Sequence, residues 1–205
     1  MTDGSRWDER YRTGDLPWDT QRHDKHLERV LAEHSVEPCA ALEIGAGTGS
    51  NAIWLAQQGF RVTALDLSSV AVDAARKKAS RAGVGVEFVA ADILTDAIPN
   101  TPFGFAFDRG CFHSFAEPGD RAAYAQAVAD CLAEGGLWFS LIGNADGPDR
   151  ETGPPRRSVR DIADVVEPLF EILSLEAAHF DSDQPEPAPA WACLMRKRTR
   201  PARTE

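Results

Sequence analysis

Apolar positions along the chain arrive in short blocks that alternate between two periods. Leu27, Val30 and Leu31 share one face of a helical segment from about His23 to His34. Ala40–Ile44 is a continuous apolar block (one acid apart), which reads as a buried strand running into the glycines that follow. Ser50–Gln58 then reads as a helix with Ile53, Leu55 and Ala56 available for packing, stopped by Gly59. Phe60–Asp66 is a second strand, Ser69–Ala82 a helix ending at Gly83, and Val86–Val89 a third strand finishing at Ala91-Asp92. Phe103–Phe107 is a fourth strand stopping at Asp108, Pro118–Ala133 a helix closing at Gly135-Gly136, and Leu137–Ile142 a fifth strand.

The pattern changes after that. Residues 144–157 form a polar loop with glycine and proline, long enough to suggest a lid or substrate loop. Ser158 with Asp161 resembles a capping box, with Asp in place of Glu, opening a helix to about Val166. Phe170–Ala178 and Ala190–Lys197 are strands separated by the proline-rich 181–189 loop and expected to pair antiparallel at a sheet edge. The N-terminus places Trp7–Tyr11 and Leu16–Asp19 around a Thr13-Gly14-Asp15 turn, and the basic tail 196–200 with the final residues reads as disordered.

Repeated strand–helix units require crossover connections, so a mainly parallel sheet covered by helices on both faces follows. The fold class is α/β, a doubly wound Rossmann-like sheet. The expected organisation is an N-terminal lid and helix over 1–36, one domain over 37–198, and a tail over 199–205, with no internal repeat. A chain of 205 residues is long enough for such a core.

Composition narrows the partners. A formal net charge of −10 repels a phosphate backbone, which argues against a nucleic-acid partner. Cys39, Cys111, Cys131 and Cys193 are far apart and form no C-x-x-C pair, so reduced, mostly buried thiols are expected rather than zinc ligands or a disulfide framework. Met1–Arg12 is polar, and no apolar run approaches the roughly 20 residues that span a bilayer, so a cytoplasmic protein without membrane attachment is expected, as a monomer or homodimer.

Ligands of such sheets bind beyond the carboxyl ends of the strands, a rule that gathers Gly45–Gly49, Asp66, Asp92 and Asp108 on one edge. The glycine register decides between cofactors. A dinucleotide fingerprint needs G-x-G-x-x-G, whereas Gly45, Gly47 and Gly49 give G-x-G-x-G, with Ser50 where the third glycine belongs. Glu43, just before the loop, repels a pyrophosphate but favours a ligand carrying an ammonium and a sulfonium. Asp66 at the end of strand two is placed for ribose hydroxyls, and Asp92 with Ile93 for an adenine amino group and ring.

Leu42-Glu43-Ile44-Gly45-Ala46-Gly47-Thr48-Gly49, with Ala64-Leu65-Asp66 and Ala91-Asp92-Ile93, resembles the signature of class I S-adenosylmethionine-dependent methyltransferases over about residues 37–198. The resemblance implies a seven-stranded sheet with the last strand antiparallel. The cofactor is then S-adenosyl-L-methionine, leaving as S-adenosyl-L-homocysteine. The cofactor set it implies is Trp18, Glu43, Gly45, Ala46, Gly47, Thr48, Asn51, Asp66, Leu67, Asp92, Ile93, Asp108 and Arg109. Within it the loop takes the methionine end, Asp66 the ribose, and Asp92 with Ile93 the adenine.

Trp7-x-x-Arg10-Tyr11…Gly14…Pro17-Trp18 is similar to the lid of thiopurine and thiol methyltransferases and of tellurite-resistance methyltransferases, and Asp108-Arg109-Gly110 matches the thiopurine pattern. Cys111-Phe112-His113 departs from it. The resemblance implies a small-molecule acceptor, a thiol sulfur before oxygen or nitrogen, touched by Trp7, Tyr11, Cys111, Phe112 and His113. Methyl transfer needs alignment and exclusion of water. Arg109 is the candidate to favour a thiolate and His113 the candidate base. Three alternatives stand beside this reading: an O- or N-methyltransferase, a magnesium-assisted one drawing on Asp108, Asn144 and Asp146, and a cofactor-binding protein without catalysis. Asn144-Ala145-Asp146 lacks an adjacent acid–amide pair, so no metal is expected.

Overall fold

The computed structural model describes residues 4–147 and 153–199. Elements follow in the order α1 (Gly4–Thr13), α2 (Lys25–Glu33), β1 (Ala40–Ile44), α3 (Ser50–Gln57), β2 (Arg61–Asp66), α4 (Ser69–Ala82), β3 (Glu87–Ala90), β4 (Phe103–Arg109), α5 (Pro118–Cys131), β5 (Leu132–Gly143), α6 (Val159–Val166), β6 (Phe170–His179) and β7 (Pro189–Lys197). A single 3₁₀ turn, Phe112–Ser114, follows β4. The seven strands take the order β3-β2-β1-β4-β5-β7-β6. β7 runs antiparallel to both β5 and β6, which is the expected Rossmann-like sheet with its last strand reversed.

The chain divides into two compact units, Met1–Asn100 with Asp181–Pro185, and Thr101–Phe180 with Glu186–Glu205. In the first, β1 pairs parallel with β2 and β2 with β3, and Leu42, Ala64, Leu65, Ala71, Val72 and Ala75 are buried between sheet and helix. Asp24 caps α2 by accepting the His26 N–H at 2.8 Å, and Leu27, Val30 and Leu31 form its buried face. In the second, β4 pairs parallel with β5, and Phe103, Phe105, Phe107, Trp138 and Phe139 are fully buried. The capping box opens α6: Ser158 accepts from the Asp161 N–H, and Asp161 accepts from the Ser158 N–H.

Three expectations are corrected. Residues 4–13 form a helix where only a turn was expected. Its apolar content is little beyond Trp7 and Tyr11, so it shows no periodic stripe, and it is fixed instead by Asp8, which accepts the Ser68 hydroxyl at 2.6 Å. The helix before strand five ends at Cys131, and β5 begins at Leu132. Leu132 pairs with Phe103 and Leu137 with Phe105, so the Gly135-Gly136 pair lies in a bulge inside β5. Arg196 and Lys197 belong to β7, because Lys197 pairs with Phe170 and its ammonium donates to the Leu132 carbonyl at 2.6 Å. The rest of the expected tail from 200 onward, and 148–152 of the expected loop, lie outside the described residues. Among the described residues, no helix is long and apolar enough to cross a membrane.

Candidate functional site

The loop between β1 and α3 in the first unit is built on left-handed backbone. Gly45, Gly47 and Gly49 have φ of 68°, 55° and 81°, a conformation that L side chains rarely adopt. Gly49 also lies against the core, where a Cβ would come within 2.8 Å of the Phe88 ring. The Ala46 N–H donates to the Leu65 carbonyl at 2.8 Å, tying the loop to β2. Beneath it Glu43 is buried, and its Oε1 accepts from Asn51 Nδ2 at 3.0 Å. Asn51 Oδ1 in turn accepts the Asp24 N–H at 2.8 Å, so the Asn51 amide is oriented from both sides.

Asp66, at the end of β2, holds the loop from its other flank. Its Oδ2 accepts the Gly47 N–H and its Oδ1 the Ser68 N–H, each at 2.8 Å. Burial pushes this carboxyl above the ordinary carboxylate range, and the Ser68 and Gly47 N–H groups oppose that shift. Leu67 is half-buried beside it. The Ala91 N–H donates to the Asp66 carbonyl at 3.0 Å, which brings the turn carrying Asp92 and Ile93 beside Asp66. Asp92 accepts the Leu94 N–H at 2.9 Å, a local turn bond, and both Asp92 and Ile93 are half-buried.

The N-terminal arm lies on this loop. A Cβ at Gly47 would fall 2.8 Å from the Tyr11 hydroxyl, so Tyr11 occupies the space that the glycine leaves. Trp18 meets Trp7 edge-on at 5.7 Å and Tyr11 at 6.5 Å, with the Arg10 guanidinium 4.3 Å from the Trp18 ring centre. Asp19 accepts the Thr48 hydroxyl at 2.8 Å. Sequence reasoning missed Asp8, Asp19 and Ser68, whose partners are 29 to 60 residues away along the chain. An acid in the arm matched to a hydroxyl at a helix start is the only local trace that they leave.

The second unit carries the run after β4, and its side chains take other roles than expected. Asp108 is fully buried. Its Oδ1 accepts the N–H groups of Cys111 (3.0 Å) and Phe112 (3.2 Å), and its Oδ2 accepts Trp138 Nε1 at 2.9 Å. Burial raises its pKa to about 6 despite these donors. Its side chain therefore shapes the turn and holds it to β5. Phe112, expected against the acceptor, is fully buried between Tyr124 and Trp138 and belongs to the core. Cys111 and Arg109 are half-buried, and the four cysteines are free thiols.

His113 is also corrected. Its Nδ1 accepts the Gly143 N–H at 2.8 Å, which leaves the ring proton on Nε2. Burial first, then the charges of Arg157 and Arg109, pull its pKa down to about 3. A ring held neutral, with its acceptor nitrogen already engaged, is a hydrogen-bond donor rather than a base at neutral pH. The turn is fixed from behind by two arginines that sequence reasoning missed. Arg157 donates to the His113 and Phe115 carbonyls at 2.7 and 2.6 Å, and Arg121 to those of Phe115 and Ala116 at 3.0 and 2.6 Å.

A buried carboxylate under a glycine loop, with an acid at the next strand end, suits a cationic nucleoside ligand. Residues 41–136 match the family model described as "Methyltransferase domain". The chain is 31% identical over 173 residues to "Probable thiol methyltransferase 2" of Arabidopsis thaliana, covering 82% of this chain and 75% of the relative. It is 28% identical over 174 residues to "Thiocyanate methyltransferase 1" of Brassica oleracea, covering 83% and 75%. A solved structure described as "Conversion of a Disulfide Bond into a Thioacetal Group during Echinomycin Biosynthesis" is similar with a TM-score of 0.80 and 27% identity, over 95% of this chain and 91% of that one. The chain belongs to the class I S-adenosylmethionine-dependent methyltransferases.

Proposed function

We propose that this methyltransferase acts on the sulfur of a small thiol, taken up as the thiolate. The observation that carries this reading is the state of His113, whose Nδ1 is spent on Gly143 and whose ring stays neutral far below physiological pH. An acceptor that must lose a proton gets no help from this imidazole. A thiol, with a pKa near ~8.5, supplies its own anion at neutral pH, whereas an alcohol does not. Two relatives named for thiol and thiocyanate methylation, and a structural neighbour named for disulfide chemistry, favour the same class of acceptor.

S-adenosyl-L-methionine supplies a methyl group on a sulfonium and leaves as S-adenosyl-L-homocysteine. The residues present fit it. Glu43, buried beneath the loop, favours the ammonium, and the absence of a side chain at Gly45 lets the methionine end approach the backbone closely. Asp66 keeps lone pairs for ribose hydroxyls beyond its two backbone bonds, and Asp92 with Ile93 takes the adenine. The arm that carries Trp7, Tyr11 and Trp18 is the lid, and its bonds at Thr48 and Ser68 hold it over the loop and exclude water. Arg109 favours the thiolate by its charge, Cys111 lines the acceptor side, and His113 Nε2 donates a hydrogen bond there.

The test is kcat/KM against pH for thiols of graded acidity. The rising limb should follow each thiol's own pKa and keep its position in His113→Gln. A limb fixed at one pH across the series would reveal a base on the protein and overturn the reading.

A further inference from the structure

Phe180 lies at the start of the proline-rich connection between β6 and β7, a setting with no evident place in the cofactor site. It is nevertheless buried, with 8% of its surface exposed. Its N–H donates to the Ala188 carbonyl at 2.9 Å, which closes the base of the connection and fixes the backbone that carries the ring. The ring meets His113 edge-on, with centroids 5.8 Å apart and planes at 87°. The Arg109 guanidinium lies 5.4 Å from the centre of the same ring. A Cβ at Gly110 would lie 3.1 Å from His113 Cε1 and Nε2. The imidazole is thus packed closely by both the Gly110 backbone and the Phe180 ring.

We propose that Phe180 is a specificity-determining residue, which limits acceptors to small anionic ones by walling in His113 and by orienting Arg109. This rests on the assignment of the run after β4 to the acceptor. The ring contact orients the guanidinium without adding a counter-charge of its own. A rigid ring on a hydrogen-bonded backbone also removes room that a larger acceptor needs, because packed walls yield little.

The experiment compares wild type, Phe180→Ala and Phe180→Leu on thiols, phenols and amines of graded size. S-adenosyl-L-homocysteine binding serves as the check of folding. Phe180→Ala should raise the kcat/KM ratio of an aromatic thiol to a two-carbon thiol at least tenfold, with KM for S-adenosyl-L-methionine unchanged within twofold. Phe180→Leu keeps bulk but loses the ring face. It should hold the ratio within threefold of wild type while lowering kcat/KM for every thiol severalfold. A ratio in Phe180→Ala within twofold of wild type overturns the inference. So does a Phe180→Leu enzyme matching wild type on every thiol, which decides the matter if Phe180→Ala fails to bind S-adenosyl-L-homocysteine. If wild type methylates phenols or amines and no thiol, the sulfur reading falls, and the size ratio within that class still tests Phe180.

Discussion

Replacing His113 by Gln should make the protein more tolerant of acid, by an amount set by the burial of the imidazole. In the unfolded chain the imidazole titrates at its ordinary 6.5, and in the folded protein burial, Arg157 and Arg109 lower it to about 3. The folded pKa is depressed, so the stability that the neutral ring contributes is present in full above pH 6.5. It is lost as pH falls towards 3. Within that window the unfolded state binds one proton more, and each pH unit costs about 1.4 kcal/mol. From pH 6.5 to 4.5 the loss is about 2 kcal/mol. His113→Gln cannot titrate and still offers a side-chain carbonyl to the Gly143 N–H. The assay is urea unfolding of both proteins at pH 6.5, 5.5 and 4.5, read as the difference in unfolding free energy.

That difference should move by about 2 kcal/mol in favour of the variant over the range, or roughly 4–8 °C in midpoint temperature for a chain of this size. Taking the difference also removes Asp108, whose contribution has the opposite sign. Its folded pKa is raised from 3.8 to about 6, so the stability it contributes is present below 3.8 and lost as pH rises through 6. A difference constant to within about 0.5 kcal/mol across the range, against the slope expected for a buried neutral ring, would refute the assignment of His113 as buried and neutral.

Other consequences are local. Ser158→Ala removes one half of the α6 capping box and should cost about 1 kcal/mol, measured by the same unfolding assay. Gly143→Ala drives a Cβ into the Pro155 carbonyl and displaces the N–H that holds His113; a loss of about 1–3 kcal/mol is expected, read by thermal unfolding. Glu43→Gln removes the buried charge beneath the glycine loop at nearly constant shape, and calorimetry should show S-adenosyl-L-methionine bound about tenfold more weakly with the fold retained.

Local pattern carried most of the fold. β1 and α4 have the bounds that their apolar blocks imply, and α6 starts at the expected capping box, because burial and capping are set by residues a few positions apart. The α5–β5 boundary was not legible, since Leu132 belongs to β5 only through its pairing with Phe103 across a bulge. The same division holds in the site. Glu43, the three glycines and Asp66 are contiguous with strand ends and could be read from spacing. The tautomer of His113 is set by Gly143, 30 residues away, and Phe112 could as easily have lined a pocket as filled the core. Phe180 gave no signal at all, being a single aromatic at the edge of a proline-rich loop whose contacts are with residues about 70 positions earlier.

The most direct measurement of the central claim is methyl transfer itself. The purified protein is incubated with S-adenosyl-L-methionine carrying a labelled methyl group and a mixture of small thiols, phenols and amines, and the products are resolved by mass spectrometry. The label should appear on sulfur, with S-adenosyl-L-homocysteine formed in equal amount. Label on oxygen or nitrogen with the thiols untouched would contradict the sulfur assignment.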